Sequence, residues 1–126
     1  MNILLDTSTV TLASRSNDWL GREARALVLA SGVQRYVSAC SWYEVGWKVG
    51  IGKLDPVFWT NLDDMVATLG AGALHLSKEH AATAALLPPA HRDPFDKLIA
   101  AQAICEDLAV LSPDLQFETL GARRVW

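Results

Sequence analysis

The residues of this chain that are most suited to chemistry are acidic. Asp6 closes the apolar run of residues 2–6, and Asp114 follows a second apolar run at 108–112. Both runs have the length and composition of buried strands. Because the carboxyl ends of parallel strands meet at one edge of a sheet, we expect these two carboxylates to lie close together.

Two further acids lie on predicted helices. Glu44 falls in the middle of a helical pattern at 38–49, and Asp96 falls in the first turn of a helix that begins at Pro94. Asp93 immediately precedes that proline, and an Asp-Pro pair is a favourable helix start because the Asp side chain accepts free backbone amides. Asp93 and Asp96 are three residues apart and therefore share one face of the first turn.

A cluster of carboxylates has a specific chemical consequence. Like charges raise each other's pKa unless a cation is present. Oxygen ligands without Cys or His suit Mg²⁺ or Mn²⁺, and such ions activate water and stabilise charge on a phosphoryl group. Each acid also has a structural explanation: Asp6 as a turn cap and Glu44 as the helical partner of Lys48. Taken together, the four acids predict phosphate or phosphodiester chemistry.

The elements that position these acids alternate along the chain. Strands are predicted at 2–6, 35–38, 74–76, 108–112 and 124–126, and helices at 18–30, 38–49, 56–69, 77–87 and 94–105. Strands that alternate with helices favour a parallel sheet covered on both faces, which is an α/β fold.

Other kinds of active site lack their motifs. The chain has no GxSxG, GxxxxGK[ST] or GxGxxG sequence. A phosphatase with Asp6 as covalent nucleophile is a further possibility, but that pattern requires a second Asp where this chain has Ser8. His75, His80 and His91 have no metal-ligand spacing and are interpreted as structural or surface residues. Both cysteines, Cys40 and Cys105, are expected to be buried free thiols.

Length and composition predict one domain, 1–126, of an ordinary globular protein. No apolar run reaches the roughly 18 residues of a membrane helix, and the first residues do not resemble a signal peptide, so a cytoplasmic location is expected. The net charge is −3, although nucleic-acid binders are usually basic. A metal bound among the acids would reduce the negative field that a substrate meets.

The chain resembles PIN domains, and more narrowly the VapC-type toxins of bacterial toxin–antitoxin pairs, from its first strand to its last residues. The motifs that carry this resemblance are Leu4-Leu5-Asp6-Thr7, Trp42-Tyr43-Glu44, Gly52-Lys53-Leu54, His91-Arg92-Asp93-Pro94-Phe95-Asp96, Leu98-Ile99-Ala100-Ala101-Gln102-Ala103 and Ser112-Pro113-Asp114. The last of these replaces a more usual Thr-Ala-Asp, but no acid is lost.

This resemblance implies a three-layer α/β/α sandwich with a central parallel sheet, and a Mg²⁺- or Mn²⁺-dependent endoribonuclease that hydrolyses RNA with a metal-activated water. It also implies a homodimer and a cognate antitoxin that covers the acidic site. The residues carried over as catalytic metal ligands are Asp6, Glu44, Asp96 and Asp114. Thr7 and Ser112 are expected to orient a ligand or a water, with Asp93 mainly as a helix cap, and the candidates for contact with RNA phosphates are Lys48, Arg92 and Lys97.

A second function remains open at this point. A catalytically silent PIN-like module would act only through contacts with an antitoxin or RNA. The presence of all four acids argues against it, and RNA cleavage with Mn²⁺ compared with an EDTA control distinguishes the two.

Overall fold

Five short parallel strands form one sheet in the computed structural model, which describes residues 1–88 and 93–126. The strands are β1 (Ile3–Leu5), β2 (Arg35–Ser38), β3 (Ala71–Leu74), β4 (Ala109–Leu111) and β5 (Arg124–Val125). Their order is β3-β2-β1-β4-β5, and every neighbouring pair is parallel. From the central strand β1 the chain first builds one side of the sheet with β2 and β3, and then the other side with β4 and β5. Asp6 therefore follows the central strand at the switch point where α/β sheets bind ligands.

Helices connect these strands. The described part of the chain contains α1 (Thr7–Arg15), α2 (Arg22–Leu29), α3 (Ala39–Gly50), α4 (Pro56–Thr60), α5 (Leu62–Thr68), α6 (Lys78–Leu86), α7 (Pro94–Glu106) and α8 (Gln116–Thr119), with one 3₁₀ turn at Asn17–Trp19.

Apolar clusters lie on both faces of the sheet. Ile3 and Leu5 belong to a cluster that includes Val45 of α3, whereas Leu4 belongs to a second cluster with Ile99 of α7 and Phe117 of α8. Successive side chains of a strand point to opposite faces, so β1 is buried on both sides. The predicted three-layer α/β/α sandwich is confirmed.

Side-chain caps fix the beginnings of α6 and α7. Asp93 accepts from the amides of Phe95 and Asp96, which confirms its predicted capping role. Ser77 caps α6 in a reciprocal arrangement in which His80 Nδ1 accepts from the Ser77 amide. The other ring nitrogen of buried His80 lies 2.8 Å from Glu106, so His80 has the structural role expected for it.

Several predicted boundaries are wrong. The third strand is Ala71–Leu74 rather than 74–76, and residues 56–69 form two helices that meet at Asn61 instead of one. The helix predicted at 18–30 is shorter, Arg22–Leu29. The helix Thr7–Arg15 was not predicted, because its threonines and serines are weak helix formers.

The two cysteines differ in environment. Cys40 is buried, as predicted, and burial raises the pKa of its thiol to about 11. It therefore stays protonated at neutral pH. Cys105 is exposed, contrary to prediction, because it lies in the last turn of α7, where residues 104–107 are all exposed; its thiol contacts Thr83 of α6.

Among the described helices, none combines the length and the apolar character needed to span a bilayer.

Candidate functional site

The carboxyl edge of the sheet contains a cleft of about 230 Å³ that all four predicted acids line. Asp6 follows β1, Glu44 lies on α3, Asp96 on α7, and Asp114 follows β4. The described residues that line it are Asp6, Thr7, Ser8, Thr11, Glu44, Lys48, Leu54, Asp93, Asp96 and Asp114. Residues that are distant in sequence thus meet at one edge of the sheet, which the strand pattern had predicted for Asp6 and Asp114.

Asp6 is buried at the end of the central strand. Its Oδ2 accepts hydrogen bonds from Ser112 Oγ and Ser8 Oγ, each at 2.8 Å. Burial raises the pKa of Asp6 and the charge of Glu44 adds to this effect, while the two serine hydrogen bonds oppose it. Asp6 is therefore harder to ionise than an ordinary aspartate, because the two serine hydrogen bonds do not fully compensate for its burial.

Glu44 is also buried, and both of its carboxylate oxygens are engaged. Thr7 Oγ1 donates to Oε1 at 2.7 Å, and the Lys48 ammonium donates to Oε2 at 2.7 Å. The Thr7 hydroxyl also lies 2.8 Å from Ser41 Oγ. Thr7 thus fixes the Glu44 side chain across two elements, α1 and α3.

Lys48 is four residues after Glu44 on α3, and its side chain is 38% exposed. Partial burial disfavours its charged form, but the hydrogen bond and charge of Glu44, with smaller effects of Asp93 and Asp6, outweigh this and raise the pKa of Lys48. Lys48 carries a positive charge at neutral pH, and that charge faces the carboxylates of the cleft.

The α7 acids line another wall of the cleft. Asp96 is buried in the first turn of α7. Asp93 is partly buried and uses its Oδ1 for the cap. The proline that follows Asp93 fixes the first helical residue and has no amide to leave unpaired. Both acids therefore line the cleft from the start of α7.

Asp114 differs from the other three acids because it is exposed. Its amide donates to Ser112 Oγ at 3.0 Å, and its Oδ1 accepts from the amide of Gln116 at the start of α8. Ser112 is completely buried and therefore links Asp6 and Asp114 through a single hydroxyl. Ser112 thus contacts one of the predicted metal ligands, while its role in orienting a bound metal's ligand stays a prediction.

The basic residues predicted to contact RNA differ in their position relative to the cleft. Lys48 lines the cleft, whereas Lys97 is absent from the described residues that line it. Arg92 and His91 lie outside the described residues.

An aromatic groove adjoins the acidic cleft. It has a volume of about 630 Å³ and shares Glu44, Lys48 and Asp93 with the cleft. Its rings are Tyr43, Trp47 and Phe95, and the Phe95 ring centroid lies 5.8 Å from that of Tyr43 and 6.2 Å from that of Trp47. Tyr43 is 67% exposed and Trp47 is 46% exposed, so both rings are accessible from solvent.

Sequence reasoning missed Ser8 and Ser41 as members of the polar network. Ser41 precedes Glu44 by three residues, so helical spacing placed it on the same face of α3, and that was an available signal. Ser8 had no comparable signal, because its contact with Asp6 depends on the turn into α1.

The chemistry of the donors fits a hard divalent cation. The cleft presents carboxylate and hydroxyl oxygens, and buried Asp6 would gain stabilisation from a positive charge. The side chains are not, however, arranged as a ready-made site. In residues 1–88 and 93–126, no group of three or more His, Cys, Asp or Glu side chains could hold a metal ion as placed.

Comparisons with known structures agree on the fold. The chain is similar to VapBC2 from Rickettsia felis, in a structure bound to a DNA fragment from their promoter (TM-score 0.76, 16% identity, 99% of this chain and 98% of the other covered). It is similar to FitAcB from Neisseria gonorrhoeae (TM-score 0.68, 22% identity, 100% and 97% covered). It also resembles VapBC-1 from nontypeable Haemophilus influenzae (TM-score 0.71, 12% identity, 99% and 97% covered).

No curated protein matches the sequence. The PIN domain family, in contrast, matches residues 3–122, which is nearly the whole chain. Together with the parallel sheet and the acids at its carboxyl edge, this match shows that the chain belongs to the PIN domain family.

Proposed function

We propose that this protein is a metal-dependent endoribonuclease and the toxin of a type II toxin–antitoxin pair. The observation that carries the proposal is the convergence of Asp6, Glu44, Asp96 and Asp114, from four separate elements, on one cleft at the switch point of the sheet. Membership of the PIN domain family supports a nuclease. In this proposal the four acids are the ligands of Mg²⁺ or Mn²⁺.

In this proposal the acids of the cleft bind the cation, and two hydroxyl residues orient them. A bound divalent cation would supply an activated water and stabilise charge on the phosphoryl group. Asp6 and Asp96, both buried, hold their carboxylates at fixed positions. Ser112 orients Asp6, and Thr7 orients Glu44, through hydrogen bonds of 2.8 and 2.7 Å. Asp114, the exposed acid of the four, would complete the ligand set.

The partners are part of the proposal. Structures to which this chain is similar are described as VapBC and FitAB complexes, and one is described as a toxin–antitoxin complex from Klebsiella pneumoniae. By this likeness we propose a cognate antitoxin, an RNA substrate, a homodimer and a cytoplasmic location. The exposed rings of Tyr43 and Trp47 beside the acids provide an apolar surface for such partners.

The test is cleavage of a structured RNA by the purified protein with Mn²⁺, compared with the same reaction in EDTA. We expect cleavage only with Mn²⁺, and a loss of at least about 100-fold in Asp6→Asn and Asp96→Asn, because removal of one electrostatic contact to the transition state commonly has that effect. Asp64→Asn, a change of an exposed acid on α5, is the matched control and should be fully active. Undiminished cleavage by both site variants would refute the assignment.

A silent binding module is the second candidate. One observation favours it: both oxygens of Glu44 are already engaged, and the described acids form no ready-made metal site. This alternative predicts that the protein binds RNA or its antitoxin but leaves RNA intact with Mn²⁺.

A further inference from the structure

The described residues that line the acidic cleft combine several carboxylates with one ammonium group. Among its described lining residues there are five carboxylates, those of Asp6, Glu44, Asp93, Asp96 and Asp114, and a single cation, Lys48. Buried carboxylates that crowd one another require a compensating positive charge. Lys48 supplies part of that charge through its ion pair with Glu44.

The position of this ammonium is well defined. Lys48 Nζ lies 2.7 Å from Glu44 Oε2, and Thr7 holds the other oxygen of the same carboxylate at 2.7 Å. Glu44 is only 5% exposed, so water has little access to it. Each oxygen of the Glu44 carboxylate therefore already accepts one hydrogen bond, and a divalent cation that approached Oε2 would meet the Lys48 ammonium at close range.

Lys48 is also able to leave. Its side chain is 38% exposed, and it borders both the acidic cleft and the aromatic groove. A lysine side chain is flexible, and its ammonium is well hydrated once it is in solvent. Movement of Lys48 therefore requires no rearrangement of the buried core.

We propose that Lys48 holds Glu44 in place when no metal is bound, and that the Lys48 ammonium competes with a divalent cation for the Glu44 carboxylate. Lys48 is in this sense a positioning residue that acts through Glu44. The inference rests on the metal site of the proposed function.

The test is the affinity of the intact protein for Mn²⁺, measured by calorimetry and by the electron paramagnetic resonance signal of free Mn²⁺, without RNA. Lys48→Met removes the competing charge, and we expect Mn²⁺ to bind about ten-fold more tightly, the order expected from the repulsion between an ammonium and a divalent ion a few ångströms apart. The same variant should have a lower melting temperature in EDTA, because buried Glu44 loses its partner.

Two matched variants serve as controls. Lys53→Met removes an equal charge from an exposed position just after α3 and should leave the Mn²⁺ affinity unchanged. Lys48→Arg keeps the charge beside Glu44 and should restore an affinity close to that of the parent protein. If Lys48→Met aggregates, Lys48→Gln provides the same measurement.

The outcomes separate the alternatives. An unchanged or weaker Mn²⁺ affinity in Lys48→Met overturns the inference, as does the absence of Mn²⁺ binding in both the parent and the variant. Weaker RNA binding with unchanged Mn²⁺ affinity also overturns it and assigns Lys48 to the substrate. Tighter Mn²⁺ binding in a protein that cleaves no RNA supports the role of Lys48 while refuting the nuclease.

Discussion

Ser112→Ala is the substitution that most directly tests how the fold prepares Asp6. The Ser112 hydroxyl is completely buried, donates to Asp6 Oδ2 at 2.8 Å, and accepts from the Asp114 amide at 3.0 Å. Alanine removes both hydrogen bonds and leaves almost no cavity. Because Asp6 is buried, the missing donor cannot easily be replaced by water.

The magnitude follows from the charge of the acceptor. A hydrogen bond to an ionised group contributes roughly 1.5–3 kcal/mol, compared with about 1 kcal/mol for a neutral pair. The Asp114 amide is close to solvent and adds little. We therefore expect Ser112→Ala to lower the free energy of unfolding by about 2 kcal/mol at pH 7.

Ser8→Ala is the matched control. Ser8 donates to the same Asp6 oxygen at the same 2.8 Å distance, but Ser8 is exposed. Water can replace its hydroxyl, so the expected loss is below about 1 kcal/mol. Urea unfolding in EDTA, followed by tryptophan fluorescence, measures both variants.

A double-mutant cycle completes the test. In an Asp6→Asn background the acceptor is neutral, so Ser112→Ala should become less destabilising by at least about 1 kcal/mol. Equal effects of Ser112→Ala and Ser8→Ala, or a loss that does not change in the Asp6→Asn background, would show that the Ser112–Asp6 hydrogen bond does not have the role assigned to it.

Two further predictions concern stability. A Cβ at Gly21 would lie 2.5 and 2.7 Å from Trp126 Cδ1 and Cγ, so Gly21→Ala should destabilise the protein by roughly 1–3 kcal/mol. A Cβ at Gly50 would have nothing within 4 Å, so Gly50→Ala should be neutral or slightly stabilising. Equal urea midpoints for the two variants would contradict this prediction. Asp6 has a raised pKa in the folded protein, so its favourable contribution is complete below the unfolded pKa and is lost as pH rises through the folded pKa. Asp6→Asn should therefore be more stable than the parent at pH 7 in EDTA, and this difference should disappear as the pH approaches the ordinary value of 3.8. A variant less stable than the parent at pH 7 would show that burial of the charge is not the dominant effect.

The sequence predicted the architecture correctly where the local preferences of the chain agree with the global fold. The Asp93-Pro94 start of α7 was predicted correctly because a cap depends on neighbours along the chain. β2 was predicted with its observed bounds, Arg35–Ser38. The alternation of strands and helices gave the parallel sheet, since a parallel pair needs a crossover connection.

Elements that depend on tertiary contacts were missed. α1 is poor in helix formers, but the buried Thr9 hydroxyl donates to the Leu111 carbonyl of β4 and anchors the helix to the sheet. β3 begins at Ala71, despite low strand propensity, because it pairs with β2. Its end at Leu74 coincides with a contact from Gln102, whose buried amide donates to the Leu74 carbonyl. Each partner lies 28 or more residues away in sequence.

The sequence by itself predicted the four acids that line the cleft, and for Asp6 and Asp114 it predicted the edge of the sheet where they meet, because strand ends are local features. It also contained the i,i+4 spacing of Glu44 and Lys48. Only the tertiary structure decided that Thr7 holds the other oxygen of Glu44 and that Ser112 holds Asp6. The physical reason is that a hydrogen bond between distant residues depends on how helices pack on the sheet, and no local pattern encodes that packing.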